Sequence, residues 1–242
     1  MNHIKTYFKN IFSFQSTKLL CAISVFAVVM SAMRFFVTGY TIYLFMLTNL
    51  FLAFVPWFIT SVIQTHEIKN RFLFAVLVFF WIIFFPNAPY MLTDLIHLGK
   101  NRAAPLWYDL IMLLTYGFAG LYYAFVSIRV MEVELLKRVS VKKKNGGVIS
   151  SILKSNRGII FLRVIFIYVT CFGVYLGRFL RWNSWDLIGN PAALLHDVCR
   201  RVFLPLNYPG AWGFTILGGT LLNLIYMILK SGAGSEVMSV AE

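Results

Sequence analysis

Asp94 and His97, an acid and an imidazole three residues apart, are the pair in this chain best suited to moving a proton. They lie in the stretch Phe85-Pro-Asn-Ala-Pro-Tyr-Met-Leu-Thr-Asp-Leu-Ile-His97, where polar groups and two prolines interrupt apolar sequence. Pro86 and Pro89 cannot both sit inside a regular helix, so a helix should end near Phe85. Asn87 is placed to cap a new one, with Pro89 tolerated in its first turn and Gly99 as its stop. Helical spacing then puts Tyr90, Thr93, Asp94 and His97 on one face, with Met91, Leu92, Leu95 and Ile96 largely opposite. The same face also reads as a water-facing polar stripe with no further role. One His and one Asp are too few for a metal, and His196 would have to come from a distant loop. No metal or other cofactor is expected.

A second stretch, Pro105-Leu-Trp-Tyr-Asp-Leu110, places Asp109 about one turn into an apolar helix. An acid is costly there unless paired or wet. A buried pair with an arginine and a catalytic or orienting role both fit. Trp107 and Tyr108 suit the aromatic belt of a membrane interface. The third stretch is Gly177-Arg-Phe-Leu-Arg-Trp-Asn-Ser-Trp-Asp186. Arg178 and Arg181, three apart on a helix, could grip a phosphate or carboxylate, and Asn183 and Asp186 stand beside them. Snorkelling arginines with belt tryptophans explain the same residues. Upstream, Gly173 and Gly177 form a GxxxG pattern that suits close helix packing.

The elements that must position these residues are membrane helices. Hydrophobic residues make up 60% of the 242 residues and charged residues 13%, against roughly a quarter charged in a soluble domain. Six apolar runs carry the excess: Leu19–Val37, Ile42–Ile63, Phe72–Phe85, Leu106–Ile128, Ile159–Leu180 and Gly213–Leu229. About 20 apolar residues cross a bilayer core. The third run is short and must draw on residues after Pro86. Arg34, close to the end of the first run, is read as snorkelling to the headgroups. The first run is read as a retained helix, a cleaved signal peptide being the lesser reading.

The net charge of +13 follows from topology rather than from nucleic acid. With the N-terminus inside and six spans, fifteen of the 22 Lys and Arg residues fall on inner segments and seven on outer ones, the sense of the positive-inside rule. Both termini are then cytoplasmic. The basic run Lys142–Lys144 serves this bias, with attraction to anionic lipid secondary. Cys21, Cys171 and Cys199 form no disulfide framework.

The fold class is all-α: a polytopic transmembrane helix bundle of about six spans with short interfacial helices on the outer face. Residues 1–18 read as a cytoplasmic segment, 19–230 as the transmembrane domain and 231–242 as a disordered tail. The fourth helix should continue to Val139 before the Lys142–Gly147 turn. In the outer loop Trp182–Trp212, Leu194, Leu195, Val198 and Val202 recur at helical spacing, a short helix on the membrane surface, where Asp197 and Arg201 could pair. Pro56 should kink the second span. Asn49 and Asn223 are the polar groups expected to bond between helices. With no ionisable group near a midplane, an ion-coupled carrier is disfavoured.

Span counting places Asp94, His97, Asp109, Arg178, Arg181 and Asp186 on the outer side, where they could line one pocket with Asn87, Tyr90 and Asn183. Two functions fit. In the first, the pocket binds, with or without processing, an anionic lipid-linked or envelope-associated ligand. The arginines hold the anion, Asp94 and His97 handle protons, and Asp109 orients one of them. In the second, the protein is a non-enzymatic transporter subunit or assembly partner in which these residues lock helix ends. Metal-assisted hydrolysis through Asp94, His97 and Asp109 is a third, weaker reading. The expected partner is the lipid bilayer, including anionic lipid; no protein partner can be named.

Phe84–Tyr90, Thr93–Leu98, Pro105–Leu110 and Leu176–Asp186 together resemble the bacterial DUF1361 family of uncharacterised multi-pass membrane proteins. The resemblance runs from about Asn49 through the sixth span, with the N-terminal segment, the Lys142–Gly147 turn and the tail outside it. It implies a bacterial cell-membrane location and supplies no catalytic residues.

Overall fold

In hydrocarbon a chain satisfies its backbone polar groups internally only as helices or closed barrels. The computed structural model of this chain is helical, with no strand among the described residues. The structure describes residues 16–66, 68–100, 103–141 and 156–239; the basic turn Lys142–Gly147 and most of the N-terminal segment lie outside them. The helices are α1 (Ser16–Thr38), α2 (Phe45–Thr65), α3 (Arg71–Phe84), α4 (Asn87–Tyr90), α5 (Leu106–Val141), α6 (Asn156–Leu180), α7 (Asp186–Gly189), α8 (Pro191–Phe203) and α9 (Pro209–Ser239). Six segments are long and apolar enough to cross a membrane: Thr17–Thr38, Phe45–Thr65, Arg71–His97, Leu106–Arg138, Gly158–Leu180 and Pro209–Ser231. The chain divides into two units, one up to Glu134 and one from Leu135.

The first unit is organised on α5, where Met112, Leu113, Tyr116 and Ala119 are fully buried. Serines seven apart on α1 meet tyrosines seven apart on α5: Ser24 Oγ lies 2.8 Å from Tyr123 Oη and Ser31 Oγ 2.7 Å from Tyr116 Oη. The matched seven-residue steps run the two helices antiparallel along one seam. Such bonds contribute about 0.6 kcal/mol each in a membrane. From α2, Phe54 and Trp57 set their rings against Tyr123.

The third span ends its first helix at Phe84, as expected, and a short helix follows from Asn87 after a turn at Phe85 and Pro86. Fourteen residues of α3 would reach only about 21 Å, and the chain stays helical beyond them. Phe85 (φ −55°, ψ −41°), Pro86 (−59°, −23°) and Tyr90 (−55°, −36°) are all right-handed. The prolines alter the hydrogen bonding. Ala88 N–H bonds to the Phe85 carbonyl and Tyr90 N–H to that of Pro86. The N-cap position falls on Pro86, and Asn87 Nδ2 donates to the Phe84 carbonyl at 2.9 Å, an acceptor left over where the ladder breaks. Met91–His97 then winds as a 3-10 helix, and Gly99, at φ +79°, ends it as expected.

This segment lies against α5 at two glycines. A Cβ on Gly117 would meet Leu92 at 3.3 Å, and one on Gly120 would collide with the Ala88 carbonyl.

In the second unit α6 and α9 pack antiparallel. Tyr168 lies on Gly219, where a Cβ would strike its ring, and its hydroxyl is 2.9 Å from Thr220 Oγ1. Phe214 receives Tyr175 and Phe179. The helix predicted after Asn190 is present as α8. Asn223 does not bond across helices: Nδ2 donates to Gly219 of its own helix at 2.8 Å. The backbone of α9 runs on to Ser239, with no proline to stop it.

Gly120→Ala should lower stability by roughly 1–3 kcal/mol, since backbone and not a flexible side chain blocks the new methyl. Unfolding in detergent checks this, with a smaller loss expected for Gly117→Ala.

Candidate functional site

Asp109 begins as a charge one turn into α5, and the structure gives it a partner. Arg34 Nε donates to Asp109 Oδ1 at 2.7 Å and Nη2 to Oδ2 at 3.2 Å. Both residues are at most 3% exposed, so Arg34 does not snorkel to headgroups. The arginine lies four residues before the end of α1 and the acid three after the start of α5, a close match in depth that lets each neutralise the other. The guanidinium also stacks 4.6 Å from the centre of the Tyr43 ring, and its Nη1 is buried without a hydrogen-bond partner. Burial raises the Tyr43 phenol pKa above its ordinary 10.0, Asp109 adds to the rise and Arg34 opposes it. The phenol stays protonated and donates to the His97 carbonyl at 2.8 Å.

His97 belongs to the 3-10 segment, and that geometry revises the expected face. With three residues per turn, side chains at i and i+3 eclipse. Met91, Asp94 and His97 therefore share a side, and Met91 and Asp94 are both fully buried. Tyr90 and Thr93 do not join it; Thr93 Oγ1 donates instead to the Tyr90 carbonyl. Asp94 Oδ2 accepts from Asn49 Nδ2 at 2.9 Å, the interhelical bond expected of Asn49. Asp94 Oδ1 is 3.8 Å from His97 Nε2. The other ring nitrogen, Nδ1, is 2.6 Å from Lys100 Nζ. An ammonium only donates, so Nδ1 accepts and the imidazole proton sits on Nε2, toward the acid. The ring packs edge-on against Phe45 and is 23% exposed, against none of Asp94. The imidazole thus links an exposed ammonium to a fully enclosed carboxyl group.

The predicted anion-binding residues lie in the second unit. Arg178 is half-buried in the last turn of α6. Arg181 is past its end, exposed, with φ +63°. That left-handed residue breaks the helical register that would have set both arginines on one face. Asn183 N–H donates to Asp186 Oδ2 at 2.6 Å while Asp186 N–H bonds back to the Asn183 carbonyl. This reciprocal pair closes the turn into α7, as in a capping box. Below it, Asp197 accepts from Trp182 Nε1 at 2.9 Å and pairs with the buried Arg201 at 3.0 Å. Arg201 lies over the Tyr208 ring, and its carbonyl takes the Trp212 indole N–H.

The structure brings Asp94 to His97, and gives Asp109 to Arg34. Among the described residues no three His, Cys, Asp or Glu side chains come together as a metal site. A surface depression at His66, Lys69 and Asn70 lies by the far end of α2 from Asn49.

Residues 48–225 match the profile of a family described as a protein of unknown function, DUF1361. The chain belongs to the DUF1361 family. Neither a curated protein nor a solved structure matches it. The DUF1361 match takes in Asn49, Asp94, His97, Asp109 and all of α8, and runs across the Lys142–Gly147 turn. Arg34 and Tyr43 lie before it. Sequence reading missed Arg34, Tyr43 and Lys100 as site residues. The signal for Arg34 was available: an arginine and an acid at equal depth in neighbouring spans require each other.

Arg34→Met alone should cost roughly 3–5 kcal/mol by stranding Asp109, and combining it with Asp109→Leu should restore most of the loss. Unfolding of the two single variants and the double in detergent checks this. Asp197 gives a pH prediction. Burial alone would raise its pKa, but the Trp182 and Arg201 hydrogen bonds and nearby positive charge bring it below the ordinary 3.8. A lowered folded value gives stabilisation that is present above 3.8 and lost as pH falls through the folded value. Amide exchange in α8 should therefore stay slow at mildly acidic pH and quicken only below about pH 4.

Proposed function

We propose that this integral membrane protein carries a proton-handling site at the outer end of its first unit, serving an anionic, lipid-linked or envelope-associated ligand. The observation that carries the reading is the path Lys100–His97–Asp94, which runs from an exposed cation through an imidazole to a fully buried acid. Lys100 supplies the charge that meets an anion. His97 relays a proton between that mouth and Asp94, and Asn49 fixes the carboxyl orientation. Asp109 serves indirectly, through Arg34 and Tyr43, by holding the His97 carbonyl. A cell-membrane location with both termini cytoplasmic is supported by the distribution of Lys and Arg along the chain.

A second reading is a non-enzymatic transporter subunit or assembly partner. The bidentate Arg34–Asp109 pair and the Asn183–Asp186 turn favour it, since both hold helix ends.

Native mass spectrometry of purified protein with co-purified lipid separates the two. Lys100→Met should reduce occupancy by anionic ligand about fivefold, the effect of one surface cation on anionic lipid. Asp94→Asn and His97→Gln should express and melt near wild type while removing the pH dependence of occupancy. Collapsed expression of the last two, with unchanged occupancy in Lys100→Met, would establish the helix-lock reading instead.

A further inference from the structure

We infer that the α7–α8 segment is an in-plane anchor that docks on an anionic phospholipid surface, independently of the site in the first unit. It joins α6 to α9, both long and apolar enough to span a bilayer, so its residues lie where a span leaves the hydrocarbon. Its polarity is inverted relative to a helix on a soluble protein. The charged pair Asp197–Arg201 faces inward, Arg201 being buried on Tyr208. Outward stand Ile188 (85% exposed), Leu195 (63%) and Phe203 (76%), and just past α8, in the 3-10 turn Pro205–Asn207, Leu206 (92%). At 100° per residue Leu195, Val202 and Phe203 form one arc of α8, and His196 and Arg200 the arc beside it. Both arcs are exposed.

This leaves α8 with three sides. One, carrying the Asp197–Arg201 pair with Leu194 and Val198, faces the protein, one is exposed and apolar, and one is basic. Water would penalise the apolar side. A protein partner would have to cover the basic side as well. An anionic leaflet satisfies both, with acyl chains against Leu195 and Phe203 and phosphates against Arg200. Arg181 adds a second exposed cation at the entry to the segment. Its left-handed backbone turns the chain out of α6 toward the surface helix. The acids of the segment do not cancel these charges at the surface: Asp197 is held by Trp182 and Arg201, and Asp186 by the Asn183 backbone.

The full chain, with Cys21 and Cys199 replaced by serine, can be labelled with nitroxide at Leu195→Cys or Leu206→Cys and reconstituted in phosphatidylglycerol or phosphatidylcholine. The labels should be reached by oxygen and shielded from a water-soluble nickel reagent, at a depth of about 5–10 Å below the phosphates. Spin-labelled phosphatidylglycerol should be preferred over phosphatidylcholine, and Arg181→Gln or Arg200→Gln should each reduce that preference about fivefold. Labels open to nickel in both lipids would overturn the proposal by placing the segment in water. Labels closed to both reagents would overturn it in favour of a protein cover. Depth without lipid preference would overturn the anionic assignment.

Discussion

The buried pair of Arg34 and Asp109 sets the geometry of the first unit. Two ions removed from water cost several kcal/mol each, and only a close, hydrogen-bonded partner offsets this. The pair therefore fixes the end of α1 against the start of α5. The consequences pass outward by contact. The guanidinium holds the Tyr43 ring, and the Tyr43 hydroxyl holds the His97 carbonyl, where the 3-10 segment ends. The Ser31–Tyr116 and Ser24–Tyr123 bonds continue the same α1–α5 seam. A charge pair in one layer thus determines where an imidazole stands in the next.

Two aspartates in one unit acquire different roles from their surroundings, as titratable pairs commonly do. Asp109 faces a guanidinium in fork geometry and is almost fully buried with it. Asp94 takes an amide hydrogen bond on one oxygen and stands 3.8 Å from an imidazole on the other. The imidazole is partly exposed, which supports the proposed proton path to Asp94. This difference supports chemistry at Asp94 and architecture at Asp109, although their positions in sequence looked alike.

The six spans were legible because length and apolar composition alone dictate them, and the α8 helix because its apolar residues repeat at helical spacing. The stop at Gly99 was legible because only a residue tolerant of positive φ ends a helix in that way. The face around Asp94 was not. It depends on a change of period from 3.6 to 3 residues, which follows from tertiary pressure of α5, through Gly117 and Gly120, on the segment after Pro86. A local pattern carries no record of that pressure. The common helical face expected of Arg178 and Arg181 does not form, for a related reason. Their spacing suits a helix, but the helix ends between them, and no glycine marks the left-handed position.

The DUF1361 match begins at residue 48 and so leaves α1 outside, yet α1 supplies the countercharge for Asp109 inside it. Removing α1 would also free the Ser24 and Ser31 partners of two α5 tyrosines, one fully buried and the other 4% exposed. An uncompensated buried carboxylate is among the costliest defects a helix bundle can carry. The first helix is therefore a structural member of the unit, and the unit that positions His97 is larger than the segment that identifies the family.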